Sequence, residues 1–241
     1  MKALALCVYR QPSMVTVKAI LDLLSVRGSE WRFAVETGDA LISRARSTAA
    51  SSWLRNCPED DVFVMTDDDF YFTPDGIESL VDLARETKGI VAGVTPLRSG
   101  EHTAIVPLEP TDVEEWTNPA SKPVEIKWAG GLIAYHRSVF EKLTHTLPLL
   151  HKNDRIGPFW PFFAPAMAHV NGQDVYLSED YACHERARKL GVKVWVQPSC
   201  QVGHLAELMV SSGNMSAVRD IFNDPTLGGT FQTTTNSVPT I

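Results

Sequence analysis

Only four cysteines, Cys7, Cys57, Cys183 and Cys200, occur among 241 residues, and none forms a C-x-x-C pair. That scarcity excludes a zinc knuckle and a dense disulfide framework, and the four read as reduced thiols. Excess positive charge is also missing. With a formal net charge of −7, attraction to nucleic acid or anionic membrane is not spread over the surface, and a polyanionic partner has to be met by a local patch. No apolar run is long enough to span a bilayer, so no transmembrane segment is expected. The apolar opening, residues 1–9, lacks the basic flank, longer apolar stretch and small-residue cleavage site of a secretory signal, and a cytoplasmic protein is expected. No internal repeat is visible. The hydrophobic share of 44% is sufficient for one sizeable core.

The pattern of apolar residues alternates between strand and helix. Residues 3–9 read as a buried strand, and residues 14–26 carry apolar side chains at helical spacing. A second strand is expected over 31–35, followed by a helix capped by Asp39 on which Leu41, Ile42, Ala45, Ala49, Trp53 and Leu54 recur at three and four. A third strand, 61–66, runs into Asp67-Asp68-Asp69. Thr73-Pro74 then supplies a cap and first-turn proline for a helix ending at Gly89, and strand four covers 90–94. Residues 98–124 read as an irregular surface connection. Residues 125–136 read as a strand interrupted by Gly130-Gly131, and a short helix spans 138–146. The proline- and aromatic-rich stretch 149–175 is long for a plain connection and suits a binding loop or a packed surface loop equally. A helix over 178–190, capped by Ser178 and stopped by Gly191, leads to a strand over 192–196. This rhythm implies an α/β domain: a mainly parallel sheet with helices on both faces, binding ligands at the carboxyl ends of its strands.

Three clusters carry candidate chemistry. Three adjacent carboxylates repel one another and need full solvation or a cation. A solvated turn explains most short acidic motifs, but Asp67 to Asp69 follow a central strand, where a divalent ion is the natural partner. Glu179 and Asp180 open a helix, where the macrodipole alone favours acidic side chains. His204, after Gly203, is by itself more often a hydrogen-bonded structural residue than a ligand.

The order Met65-Thr-Asp-Asp-Asp-Phe70, Trp128-Ala-Gly-Gly-Leu-Ile-Ala134, Ser178-Glu-Asp-Tyr-Ala-Cys-His-Glu-Arg-Ala-Arg-Lys-Leu-Gly191 and Gly203-His204 resembles the GT-A fold glycosyltransferases, especially the group related to family 2. The resemblance spans most of residues 1–205 and is lost beyond. It implies one catalytic domain over 1–205, with a Rossmann-like nucleotide-sugar half over 1–98 and an acceptor half over 99–205, and a partly mobile extension over 206–241. It also implies that Asp69 ligates Mn²⁺ or Mg²⁺, with Asp67 near the ion or the ribose, Asp68 supporting and His204 completing the metal site. An imidazole ligand mildly favours Mn²⁺. Asp180 matches the base that deprotonates the acceptor hydroxyl, with Glu179 beside it. Such a base implies inversion at the anomeric carbon, although retaining enzymes of this fold carry similar acids and the stereochemistry stays open.

Nucleotide recognition is expected from Tyr9, Arg10, Asp39, Arg44 and Arg46 at the ends of the first two strands, with uridine diphosphate as the default donor nucleotide by analogy. Arg44 and Arg46, two apart on a helix, cannot point the same way. For the acceptor, Trp128, Trp160, Phe162 and Phe163 offer flat faces for a sugar or base, or belong to the core, and Gly130 and Gly131 leave room for close approach. A glycan or a hydroxymethylated base in phage DNA fits this class. A nucleotidyltransferase is the nearest rival, but the turn after strand one, residues 9–14, lacks glycine. A dehalogenase-type phosphatase would carry its acidic motif after the first strand. A non-catalytic sugar- or metal-binding domain would leave Asp180 without a role.

Overall fold

The computed structural model describes residues 1–8, 11–99, 102–109, 116–151, 157–170 and 172–205. Tyr9, Arg10 and the expected extension over 206–241 lie outside the described residues.

The first four strands expected from the sequence are β1 (Lys2–Val8), β2 (Trp31–Thr37), β3 (Val62–Thr66) and, after the two-residue strand β4 (Phe70–Tyr71), β5 (Ile90–Val94). Helices α1 (Met14–Arg27), α2 (Ile42–Asn56) and α3 (Pro74–Thr87) connect them. The second half adds β6 (Ile105–Pro107), β7 (Val124–Ala129), β8 (Ile133–His136), α4 (Arg137–Thr144), β9 (Ala166–Val170), β10 (Gln173–Leu177), α5 (Glu179–Lys189), β11 (Val194–Gln201) and β12 (Gly203–His204). Eight strands form one sheet in the order β2-β1-β3-β8-β5-β11-β7-β6. β1 pairs parallel with β2 and β3, and β5 with β11, whereas β8 is antiparallel to β3 and β5, and β7 to β11 and β6. Only β7 and β8 therefore run against the rest, giving a mixed sheet in which most strands share one direction.

Strand periodicity places alternate side chains on opposite faces, and each face has its own core. From β1, Ala3 and Ala5 join α2, α4 and α5 residues such as Ala50, Trp53, Phe140 and Cys183. Leu4 and Leu6 instead meet Ile20 and Leu23 of α1 and Ile77, Leu80 and Val81 of α3. The small β1 side chains on the first face admit the aromatic group of Trp53, Phe63 and Phe140, whose rings lie 5.0–6.2 Å apart.

Several local expectations are corrected. Asp39 does not cap α2, because the cap position is Leu41. It accepts a hydrogen bond from Leu41 N at 3.0 Å instead, holding the turn that enters the helix. Helix α3 is capped by Thr73 as expected, but its left-handed C-terminal residue is Lys88, at φ 50°, and not Gly89. Gly89 answers a different need: a β-carbon there would stand 2.7 Å from the Lys193 carbonyl. Ser178 occupies the cap position of α5 without a side-chain cap bond. Residues 98–124 contain strand β6 and the fully buried Trp116, and the aromatic stretch hides the hairpin β9–β10. Phe162 and Phe163 are core residues.

The interrupted strand at Gly130-Gly131 is in fact two strands in different parts of the sheet. Between them Gly131 takes φ +106°, and a β-carbon there would lie 2.3–2.7 Å from the Thr95 side chain. Gly131→Ala therefore combines backbone strain with overpacking and should cost about 3 kcal/mol or more, read as a fall in urea midpoint at unchanged slope. Gly130→Ala is the control, since its β-carbon would meet neighbours only at 3.6–3.9 Å. Equal stability of the two variants would refute this account of the turn.

Candidate active site

Asp67, Asp68 and Asp69 leave β3 at its carboxyl end and line a cleft of about 350 Å³ together with Cys7, Ile42, Arg46, Arg98, Glu179 and His204. The chain enters β4 directly after the triplet, and β4 pairs antiparallel with β12 so that Phe70 stands opposite His204. Leu205 N donates to Asp69 O at 2.9 Å, closing the same short ladder. Residues 135 apart in sequence, Asp69 and His204, are thereby fixed side by side, with Asp69 Oδ2 3.2 Å from His204 Nε2.

The histidine tautomer follows from the partners of both nitrogens. Nδ1 lies 2.8 Å from the Pro96 carbonyl, which can only accept, and Nε2 accepts from Arg98 Nε at 3.2 Å, so Nδ1 carries the hydrogen and Nε2 the lone pair. Two electron-pair donors, one oxygen and one nitrogen, thus converge, an arrangement that needs a cation between them. In this structure Arg98 answers that need: its guanidinium contacts Asp69 Oδ2 and donates from Nε to His204 Nε2 at 3.2 Å. Among the described residues no group of three His, Cys, Asp or Glu side chains converges, so the protein's own donor set here is a pair. This pair could hold a divalent ion, with its remaining coordination positions left to other oxygen ligands.

Asp67 is turned away from that pair. Its Oδ1 accepts from Arg46 Nη2 at 2.5 Å, while Arg46 Nη1 contacts Glu179 at 3.1 Å and also Asp180. Arg46, only 4% exposed, thus ties α2 to the end of β3 and the start of α5. It is a buried hub among carboxylates on the wall of the cleft, where the sequence left a phosphate contact and a solvated helix face equally open. Burial works against its charge, but the three carboxylates hold its pKa well above the usual arginine value. Arg44 points elsewhere, as the spacing required, and pairs with Asp39 through Nε and Nη2 at 2.6 and 2.7 Å. Neither Asp39 nor Arg44 lines the cleft.

The two acids of α5 separate by environment. Glu179 lines the cleft, whereas Asp180, 5% exposed, sits behind it. Burial pushes the Asp180 carboxyl up to about 7 against the pull of Arg46, and Glu179 and Asp67 add to the rise. Asp68 is also raised, first by burial and then by Asp69 and Asp67. Asp180 Oδ2 is 3.7 Å from where a β-carbon on Gly130 would stand, so glycine leaves room beside that oxygen. The backbone at this point is fixed by His184, which accepts from Ala129 N at 3.2 Å and meets Tyr135 Oη at 3.2 Å. Burial, then Arg46, drive the His184 pKa down to about 3, so it stays neutral.

The aromatic candidates fall differently. Trp128 is 6% exposed, stacked on Tyr181 with ring centroids 5.7 Å apart and bonded through Nε1 to Glu185 at 3.1 Å. Its face is covered, and Tyr181 is the ring nearer solvent. Trp160 packs against the core and donates its backbone N–H to Ser51 Oγ at 3.0 Å. Cys7, Ile42 and Arg98 line the cleft without having been proposed as site residues from the sequence. Isolated residues of these types carry no local signal, and only the strand-end topology gathers them.

No protein-family model matches the sequence, and a search of characterised proteins returns no match. Solved structures do match. A197 from STIV superposes with a TM-score of 0.56 at 12% identity, covering 86% of this chain and 87% of that one. GalNAc-T7, solved with UDP, GalNAc and Mn²⁺, superposes with a TM-score of 0.55 at 12% identity, covering 89% of this chain and 44% of that one. The eight-stranded mixed sheet with helices on both faces has the GT-A glycosyltransferase fold.

Proposed function

We propose that the chain is a metal-dependent glycosyltransferase that moves a sugar from a nucleotide-diphosphate donor to an acceptor hydroxyl, with a UDP-sugar as the donor class. The observation that supports this most is the convergence of Asp69 and His204 in one cleft with Asp67, Asp68 and Glu179. Carboxylates gathered in this way repel an anionic diphosphate, and a cation between them would offset that repulsion. Asp69 and His204 would hold a divalent ion, which would supply positive charge to offset the charge that builds on the departing nucleoside diphosphate.

The chain's own groups do the rest. Asp180, with a carboxyl poised near neutrality and an oxygen beside Gly130, accepts the proton of the acceptor hydroxyl as it attacks. Arg46 holds Asp180 and Asp67 in register, and Glu179 faces the donor side. Tyr181, stacked on Trp128 and beside Gly130, offers an aromatic surface to the acceptor. With Asp180 as base the reaction inverts the anomeric centre. None of the described helices is long and apolar enough to cross a membrane.

A donor screen tests this reading. Incubated with Mn²⁺ and individual nucleotide sugars, the protein should show thermal stabilisation and slow donor hydrolysis with at least one UDP-sugar. Asp69→Ala should remove the Mn²⁺-dependent part of that stabilisation, weakening donor binding by about 100-fold. A folded protein that responds to no nucleotide sugar, or an Asp69→Ala variant that responds normally, would sink it.

A further inference from the structure

The Asp69–His204 pair already holds a cation. Arg98, on the loop after β5, contacts the same carboxylate oxygen and the same imidazole nitrogen that face each other across 3.2 Å. A guanidinium and a metal ion cannot share those lone pairs. The two sides of this contact differ in freedom. The Arg98 side chain is 69% exposed, whereas those of Asp69 and His204 are 13% and 14% exposed. His204 is further held by Pro96 O at 2.8 Å and by the edge of the Phe70 ring, with centroids 4.8 Å apart. The arginine can withdraw into solvent without repacking, while the pair it leaves stays in place.

Resting on the metal-site reading above, we propose that Arg98 and the divalent ion are alternative occupants of the Asp69–His204 pair, so that metal enters by displacing the guanidinium. Arg98 also lines the cleft, so a donor diphosphate bound there offers the displaced guanidinium a new anionic partner. Nucleotide and metal then assist each other through Arg98 as well as by direct ligation, and the coupling is reciprocal.

The test is Mn²⁺ binding without nucleotide, followed by electron paramagnetic resonance, for the full chain and for Arg98→Ala and Asp69→Ala. Arg98→Ala should bind Mn²⁺ about fivefold more tightly, the upper end for release from an exposed ion pair. In parallel, the Arg98 Nε–H resonance of the wild-type protein should move toward the free-guanidinium position as Mg²⁺ is added, with the midpoint of metal binding. Unchanged Mn²⁺ affinity in Arg98→Ala, or an unmoved Arg98 resonance while the metal binds, would overturn the exchange and leave the metal site standing if Asp69→Ala abolishes binding. Should neither wild type nor Arg98→Ala bind Mn²⁺, the metal-site reading fails and the exchange with it.

Discussion

Replacing Asp180 by Asn should lower sugar transfer by about two to four orders of magnitude while leaving metal-dependent donor binding within about twofold of wild type. The split follows from placement. Asp180 does not line the cleft that holds the acidic triplet, so donor contacts survive. Asparagine keeps the shape and can still accept from Arg46, but it cannot take a proton. The pH profile carries the same information. With the carboxyl raised to about 7, the base is largely protonated at pH 6, so kcat/KM should rise with pH through about 7 and then level off. Glu179→Gln separates the two acids of α5. Because Glu179 faces the cleft, its loss should weaken donor binding more than it slows the bound complex. If Glu179→Gln abolishes transfer and Asp180→Asn does not, the roles are reversed.

Much of the strand and helix pattern was legible because both cores are written in alternation and in threes and fours. Leu4 and Leu6 against Ala3 and Ala5 encode a strand buried on both sides, and Thr73-Pro74 encodes a helix start that the structure reproduces. Strand direction was less legible. The Gly130-Gly131 pair reads as a flaw in one strand, yet it joins two strands in different parts of the sheet, because nothing local reports that Thr95 will stand where a Gly131 side chain would be. The hairpin β9–β10 was hidden for a related reason: its outer face carries Met167, His169, Asp174 and Tyr176, which do not form an apolar alternation. In the site, acidic residues could be named from the sequence, but their counter-charges could not. Arg98 meets Asp69 across 29 residues, and Arg46 meets Asp180 across a separation of 134 residues. Such pairings are set by tertiary topology alone.

Arg46→Met should be the most damaging single change to stability, costing about 3–5 kcal/mol, the usual result of stripping one partner from a buried ion cluster. Three carboxylates depend on this one guanidinium, and Met fills similar volume without charge. Arg46→Lys should recover only part of the loss, because a single ammonium cannot present the forked donors that now reach Asp67 and Asp180 from different nitrogens. The sign of the pH dependence distinguishes charge from packing. A carboxyl whose pKa is higher folded than unfolded binds more protons in the folded state, so its folded form is favoured at low pH and loses that advantage as pH rises through the folded value. Asp180 is already such a group, at about 7 against an ordinary 3.8. Without Arg46 it loses the one neighbour that lowers it, and the penalty of Arg46→Met should be smaller at pH 5.5 than at pH 8. Urea midpoints of wild type and variant at the two values measure this directly. A penalty equal at both would mean that Arg46 stabilises by packing, and a variant as stable as wild type at pH 8 would remove the hub from the account of how α2, β3 and α5 are held around the site.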